Sequence, residues 1–263
     1  MTKGLHFNHL VLGSDKNPPL ILLHGWGKSI DALLPLGVIL SDSFRVFLPD
    51  LPGFGETPLP EEANAGETAW TTFQYAEAVL DYMDQNGLSS AHFLGHSFGG
   101  RICLQLAAHF PDRVKDLILM DAAGLKPVRT RKQRLRLLRV RTIGRAIYLS
   151  KGLVGEKKFQ EYRQWYAKKF GSKDYQAAGE MRRILVNTVN EDQAENARKI
   201  DKRTLVLWGT DDPETPLYMA KKLHQYIKNS TLVEMEHKGH EPYLGMGSHL
   251  CAYHILNFTT NSN

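Results

Sequence analysis

The 263-residue sequence contains only two cysteines, Cys103 and Cys251, and both lie in apolar stretches typical of helices. This placement predicts buried, reduced thiols rather than a disulfide or a metal pair. No apolar run approaches the roughly 20 residues needed to span a bilayer. Residues 1–12 lack the apolar core and the small-residue cleavage site of a signal peptide. We therefore expect a soluble cytoplasmic protein without a transmembrane segment.

Motifs for metals and nucleotides are also missing. There is no H-E-x-x-H, no paired C-x-x-C and no P-loop, and the glycines at 53 and 55 are too isolated to indicate a nucleotide site. The net charge of +5 is too small by itself to indicate nucleic-acid binding, and no aromatic stacking pattern accompanies the basic residues. We expect no cofactor, no metal and no nucleic-acid partner.

Short apolar runs recur along the chain, and most are unbroken rather than alternating. They lie at residues 5–12, 20–23, 44–48, 91–94, 117–120, 204–208 and 232–235. Unbroken runs are typical of strands that are buried on both faces. Helical patterns separate most of them, so the sequence predicts an α/β fold with a mostly parallel central sheet flanked by helices.

One segment, residues 124–203, interrupts this alternation. It contains several helical patterns and no convincing strand. We interpret residues 1–263 as a single domain in which residues 124–203 form a helical insertion. Because ligands bind at the strand ends of an open α/β sheet, the insertion is placed to act as a lid.

A G-x-S-x-G pattern at residues 95–99 follows one of the apolar runs and opens a helical stretch. In such a strand-to-helix turn the serine adopts a strained conformation, and glycines fit where larger side chains would collide. The Oγ atom is exposed at a helix N-terminus, where negative charge is stabilised. The pattern predicts that Ser97 is a nucleophile.

A catalytic serine needs a base and an acid that orients the base. In this kind of fold the acid and then the histidine follow the serine along the chain. Asp212 lies in an acidic turn after the run at 204–208, and His240 follows the last run. The alternatives are Asp211 and Asp121 for the acid, and His237, His249 and His254 for the base.

Five motifs in the same order resemble the α/β-hydrolase superfamily over almost the whole chain. They are H-G-x after an early strand at 24–26, D-x-P-G-x-G at 50–55, G-x-S-x-G at 95–99, G-x-x-D-x-x-x-P at 209–216 and G-H at 239–240. The resemblance implies that Ser97 is the nucleophile, His240 the general base and then acid, and Asp212 the orienting carboxylate. It also implies an oxyanion hole formed by the backbone N–H groups of Trp26 and Phe98.

The family spacing favours Asp212 over Asp211, while Asp121 corresponds to a position from which some relatives draw the acid. Only His240 follows a glycine in the family position. We interpret His24 and His96, which lie close to the site in sequence, as packing and hydrogen-bonding residues.

Residues 122–155 contain ten Lys or Arg and no acidic residue. Leu135, Leu138, Thr142, Ala146 and Leu149 fall near one face of a predicted basic amphipathic helix. One interpretation is a solvated basic face on a lid helix that packs through its leucines. The others are an acidic partner or substrate, and peripheral contact with anionic lipid.

These features predict a serine hydrolase that cleaves small-molecule carboxylic esters through an acyl-serine intermediate. Aromatic residues of the insertion, including Trp165, Tyr166 and Phe170, are candidates for an acyl pocket or for the core of the lid. The turns at 24–27 and 51–55 are similar to those of pimeloyl-carrier-protein methyl ester esterases, which implies carrier-protein esters or thioesters as an alternative. Carbon–carbon bond hydrolysis, aminopeptidase action and a non-catalytic ligand receptor also stay open, because the fold does not choose between them.

Overall fold

The computed structural model describes residues 4–64, 69–128 and 131–260. The described residues form two compact units. We call residues 1–126 and 186–263 the sheet unit, and residues 127–185 the helical unit.

Seven strands form one sheet in the described residues of the sheet unit. They are β1 (His9–Leu12), β2 (Pro19–Leu23), β3 (Arg45–Pro49), β4 (Ala91–His96), β5 (Val114–Met120), β6 (Thr204–Gly209) and β7 (Ser230–Met235). Their order in the sheet is β1-β3-β2-β4-β5-β6-β7, and only the pair of β1 and β3 is antiparallel. The predicted α/β class with a mostly parallel sheet is confirmed.

The first strand is shorter than the predicted run at residues 5–12. The Asn8 N–H donates to Thr57 Oγ1 at 2.9 Å, and Asn8 Nδ2 donates to Asp50 Oδ2 at 2.7 Å. These groups bind a neighbouring turn, so strand pairing begins only at His9.

Ten α-helices occur in the described residues. They are α1 (Ile30–Leu40), α2 (Thr72–Gln85), α3 (Phe98–His109), α4 (Arg131–Leu149), α5 (Lys151–Phe170), α6 (Lys173–Ala177), α7 (Arg182–Asn190), α8 (Ala194–Lys199), α9 (Tyr218–Tyr226) and α10 (Gly247–Thr260). In the sheet unit, α1 and α10 pack together on one side, while α3 packs against α2 and α8 on the other. The central strands β2 and β6 are almost entirely buried between these layers, as the unbroken apolar runs predicted.

Asp50 organises the turn of the D-x-P-G-x-G motif. Its buried carboxylate accepts the N–H of Ile30 at 2.8 Å, where α1 begins, and the N–H of Glu56 at 2.9 Å. A Cβ atom added to Gly55 would lie 2.1 Å from Asp50 Oδ2, so only glycine lets the turn close around the carboxylate. The motif therefore fixes the start of α1 against the end of β3.

The predicted insertion at 124–203 is longer than the compact helical unit at 127–185. Its last helix, α8, packs on α3 in the sheet unit, and Asn196 Nδ2 donates to Gln105 Oε1 at 2.9 Å. The bounds of the helical unit thus differ from those of the predicted insertion, and the interpretation as a single domain with a lid stays a prediction.

Within the helical unit, α4 packs against α5 through the face opposite to the one expected. Half-buried residues such as Val140 and Ile147 face inward, and Tyr166 Oη donates to the Val140 carbonyl oxygen at 3.0 Å. Gly144 permits this approach, because an added Cβ atom would lie 2.9 Å from Tyr166 Oη. The interpretation that α4 packs through Leu135, Leu138 and Leu149 is wrong, since all three are exposed.

Replacing Asp50 by alanine should lower the free energy of unfolding by about 2 to 4 kcal/mol, because three partly buried donors would lose their acceptor. Urea unfolding followed by circular dichroism measures this change. Asp42→Ala removes an exposed carboxylate and should change the free energy by less than about 0.5 kcal/mol. Equal stability of the two variants would contradict the organising role of Asp50.

Candidate active site

Ser97 occupies the turn between β4 and α3. Its backbone has φ +49° and ψ −107°, a conformation that costs energy for a residue with a side chain. The surrounding structure holds it there, because the Ser97 N–H donates to the Met120 carbonyl at 3.2 Å and the Ser97 carbonyl accepts the Ala123 N–H at 3.0 Å. The serine thus stands, half-buried, at the N-terminus of α3.

The glycines of the G-x-S-x-G pattern allow this turn to be tight. A Cβ atom at Gly95 would lie 2.5 Å from the Gly99 carbonyl oxygen, and one at Gly99 would lie 2.1 Å from the Leu23 carbonyl oxygen. Backbone atoms cannot move aside as the end of a side chain can. The pattern is therefore a steric requirement of the crossing between β2, β4 and α3.

His240 lies in the loop that follows β7, with 12% of its side chain exposed. Its Nε2 atom is 3.0 Å from Ser97 Oγ, and its Nδ1 atom is 2.8 Å from Asp212 Oδ2. In the neutral imidazole, Nδ1–H donates to the carboxylate and Nε2 accepts from the serine hydroxyl. The structure thus brings the three predicted residues into one continuous hydrogen-bonded chain.

Asp212 lies in the turn after β6, and its carboxylate is buried. Oδ1 accepts the N–H groups of Glu214 at 2.7 Å and Thr215 at 3.0 Å. Burial alone would raise the pKa of Asp212, but the hydrogen bonds from His240 and Thr215 outweigh it and lower the pKa to about 2. The carboxylate is therefore ionised at neutral pH, and it can stabilise a positive charge on His240.

The pKa of His240 results from opposing effects. Burial lowers it, but the hydrogen bond to Asp212 and the charge of that carboxylate prevail, and Glu214 and Glu241 raise it further. The net effect raises the pKa above the ordinary histidine value. This environment favours an imidazole that accepts a proton and holds it briefly.

Of the three candidate carboxylates, Asp212 is the one that is hydrogen-bonded to His240 Nδ1. Asp211 is exposed and lies 3.8 Å from His237, although its N–H donates to the Lys238 carbonyl and so joins the acidic turn to the His240 loop. Asp121 is buried at the end of β5, where Oδ1 accepts the Gly209 N–H at 2.9 Å. Burial and, to a lesser extent, the charge of Asp212 raise the pKa of Asp121 to about 9.

The alternative histidines also lie apart from this chain of hydrogen bonds. His237 is exposed, and His249 and His254 belong to α10. His24 is buried, and its Nε2 accepts the Leu51 N–H at 3.0 Å. This contact agrees with the hydrogen-bonding role that we expected for His24.

Two residues close to His240 were not predicted from the sequence. Glu214 Oε2 lies 3.4 Å from His240 Nε2, and Thr215 Oγ1 donates to Asp212 Oδ2. Both belong to the acidic turn at 209–216, whose abundance of polar side chains was the only signal. His96 is also closer than expected, because its Nε2–H donates to the His240 carbonyl at 2.7 Å.

Trp26 and Phe98, the residues predicted to form the oxyanion hole, lie side by side next to Ser97. Their ring centroids are 5.2 Å apart, and both rings contact Phe54. A Cβ atom added to Gly25 would lie 3.5 Å from the Ser97 Cβ, so the turn after β2 approaches the serine closely. The role of the two backbone N–H groups stays a prediction.

Within residues 4–64, 69–128 and 131–260, no cluster of three or more His, Cys, Asp or Glu side chains is arranged to hold a metal ion. In the same ranges, no helix combines the length and hydrophobicity that crossing a membrane requires.

Comparison with known proteins identifies the family. A profile of the α/β-hydrolase fold matches residues 18–245, a range that includes Ser97, Asp212 and His240. The chain therefore belongs to the α/β-hydrolase fold family, whose members include hydrolases of several kinds.

Several characterised proteins are similar in sequence. The chain is 28% identical over 234 residues to 2-hydroxy-6-oxo-2,4-heptadienoate hydrolase of Pseudomonas putida, covering 84% of this chain and 82% of the relative. It is 36% identical over 110 residues to 2-hydroxymuconate semialdehyde hydrolase of a Pseudomonas species, covering 41% and 37%. It is 38% identical over 108 residues to pimeloyl-[acyl-carrier protein] methyl ester esterase of Aeromonas hydrophila, covering 41% and 39%. The matches thus span less than half the length of the last two relatives.

Among solved structures, a membrane phospholipase A described as a bacterial virulence factor superposes with a TM-score of 0.73. The two chains are 25% identical, and the match covers 98% of this chain and 83% of the other. The two proteins are therefore similar in overall fold as well as in sequence.

The hydrogen bond between Asp212 and His240 predicts a change in titration. Replacing Asp212 by asparagine should lower the imidazole pKa of His240, because the neutral amide no longer stabilises the imidazolium. Titration of the His240 ring signals by nuclear magnetic resonance measures the shift. Asp211→Asn is the matched control and should leave that pKa nearly unchanged. A larger shift in Asp211→Asn than in Asp212→Asn would refute the assignment.

Proposed function

We propose that this hydrolase cleaves carboxylic esters through an acyl intermediate on Ser97. The observation that carries the proposal is the uninterrupted path from Ser97 Oγ to His240 Nε2 at 3.0 Å, and from His240 Nδ1 to Asp212 Oδ2 at 2.8 Å. A serine hydroxyl is a weak nucleophile until a base accepts its proton, and this geometry supplies the base.

The reaction proceeds in two steps. His240 Nε2 accepts the Ser97 proton as Oγ attacks the acyl carbon, and the imidazolium then donates that proton to the departing alcohol. A water molecule, activated by the same imidazole, attacks the acyl-serine and releases the acid. The N–H groups of Trp26 and Phe98 bind the developing oxyanion, and the N-terminus of α3 adds a favourable dipole.

An ester substrate is supported by the names of two similar proteins, a methyl ester esterase and a phospholipase A. Short to medium acyl chains are the substrates that we propose, with the helical unit acting as a lid. The proposed reaction involves no cofactor, because the serine and the imidazole exchange the proton and the carboxylate stabilises the imidazolium.

Carbon–carbon bond hydrolysis is the second candidate, favoured by a different observation. The relative matched over 84% of this chain is named for 2-hydroxy-6-oxo-2,4-heptadienoate, a compound without an ester group. Its hydrolysis has to break a carbon–carbon bond next to the 6-oxo group. The two candidates share the serine and differ in the bond that is broken.

A series of p-nitrophenyl acyl esters, assayed beside the heptadienoate, separates these candidates. The wild-type protein should hydrolyse the short esters with the higher kcat/KM, and Ser97→Ala should lower kcat by about 10⁴-fold or more. A fluorophosphonate probe should label the wild type and not Ser97→Ala. Preference for the dienoate would transfer the proposal to the second candidate. Absence of both activities and of labelling would indicate a non-catalytic binding protein.

The rate should also depend on pH through His240. Because a protonated imidazole cannot accept the serine proton, kcat/KM should fall as the pH drops through the raised pKa of His240, above about 6.5. Glu214→Gln removes a negative charge 3.4 Å from Nε2, so this acidic limb should move to lower pH. Glu77→Gln, on the exposed face of α2, makes the same charge change as a control. A limb that moves to higher pH in Glu214→Gln would contradict the predicted effect.

A further inference from the structure

The surface of α4 carries an unusual concentration of positive charge. The helix contains seven Lys or Arg, and residues 122–155 contain no acidic residue. Among residues 4–64, 69–128 and 131–260, none of the ion pairs includes a cation of α4. These charges are therefore available to an external anion.

An apolar stripe runs along the exposed face of α4. Leu135, Leu138 and Leu149 are 60%, 62% and 71% exposed. We call these three residues the leucine stripe. The opposite face of α4 already packs against α5, so the stripe is not needed for the core of the helical unit. At the start of α5, Leu153 is 88% exposed.

The charges flank the leucine stripe on both sides. At 3.6 residues per turn, Arg134, Arg141 and Arg145 lie along one edge of the stripe, while Lys132 and Arg139 lie along the other. A helix with leucines on one face and cations beside them is suited to lie in the plane of a membrane interface. The α4 helix, about 28 Å long at 1.5 Å per residue, offers an extended line of contact.

Charge alone would fit an acidic protein as well as an anionic lipid surface. The arrangement favours lipid, because long arginine side chains can reach phosphate groups while the leucines between them enter the acyl region. A highly charged protein surface would leave exposed leucines without apolar partners.

We propose that α4 docks on an anionic lipid surface, with the leucine stripe inserted and the flanking arginines bound to lipid phosphates. Docking would involve residues separate from Ser97, His240 and Asp212. It can therefore be measured without ester turnover, and its outcome is distinguishable from that of the proposed reaction.

The test is co-sedimentation of the full chain with lipid vesicles, using Ser97→Ala so that lipid is not consumed. The protein should bind vesicles of equimolar phosphatidylglycerol and phosphatidylcholine, and not vesicles of phosphatidylcholine alone. High salt should release it, since screening weakens the charge contribution. Equal binding to both kinds of vesicle, or to neither, would overturn the proposal.

Three sets of variants separate the contributions. Arg134→Gln, Arg141→Gln and Arg145→Gln together should weaken binding by about 100-fold, at about fivefold per cation. Leu135→Ser, Leu138→Ser and Leu149→Ser together should weaken it by about tenfold or more, because less apolar area is buried. The control combines Lys16→Gln, Lys115→Gln and Lys228→Gln, which remove equal charge from exposed positions of the sheet unit. It should retain nearly full binding.

Two results would reject the lipid surface. Equal loss in the arginine set and the lysine control would show a response to net charge alone. Unchanged vesicle binding in the leucine set, together with tight binding to polyglutamate, would indicate an acidic macromolecule instead. Thermal unfolding by circular dichroism checks that each variant is folded, and Leu138→Ser alone replaces the leucine set if the triple variant is not.

Discussion

The hydrogen bond between Asp212 and His240 joins two loops that are 28 residues apart in sequence and places the imidazole against Ser97. It works because β4, β6 and β7 are parallel, so the segments that follow them meet at one edge of the sheet. The turn after β6 supplies the carboxylate, the loop after β7 supplies the imidazole, and the turn after β4 supplies the hydroxyl. Buried strands thus fix three polar groups that loops alone would leave mobile.

The carboxyl groups near this edge of the sheet differ in protonation state, because their surroundings differ. Asp212 is ionised because His240 and Thr215 donate hydrogen bonds to it. Burial instead raises the pKa of Asp121 to about 9, which leaves that side chain neutral at pH 7. A single negative charge is therefore buried beside the imidazole. Glu214, with 65% of its side chain exposed, adds a second and more weakly acting charge on the serine side of the ring.

Much of the sheet unit was predictable from local patterns. Apolar runs located all seven strands. For the central strands β2 and β6 the reason is burial, because strands covered on both faces need apolar side chains throughout. The glycines around Ser97 were informative for a steric reason, since a Cβ atom at Gly99 would collide with the backbone at Leu23. The prediction that Asp212 rather than Asp211 orients the histidine required the family spacing. The two carboxylates are adjacent in sequence, and only the conformation of the turn determines which of them points towards His240.

Other features depend on packing that periodicity does not reveal. Both faces of α4 contain apolar residues. The face with Gly144 packs against α5, because the missing side chain of the glycine leaves room for Tyr166. Likewise, α8 has a helical pattern like those of the insertion, but its contacts with α3 place it in the sheet unit. The approach of Glu214 to His240 arises from the path of a single turn, for which the sequence contains no periodic signal.

The most direct measurement is the mass of the protein quenched during turnover of a p-nitrophenyl ester, followed by peptide mapping. We expect a mass increase of one acyl group, carried by the peptide that contains Ser97 and absent when Ser97 is alanine. Turnover without that adduct, or an adduct on another residue that persists in Ser97→Ala, would contradict an acyl-serine mechanism at this site.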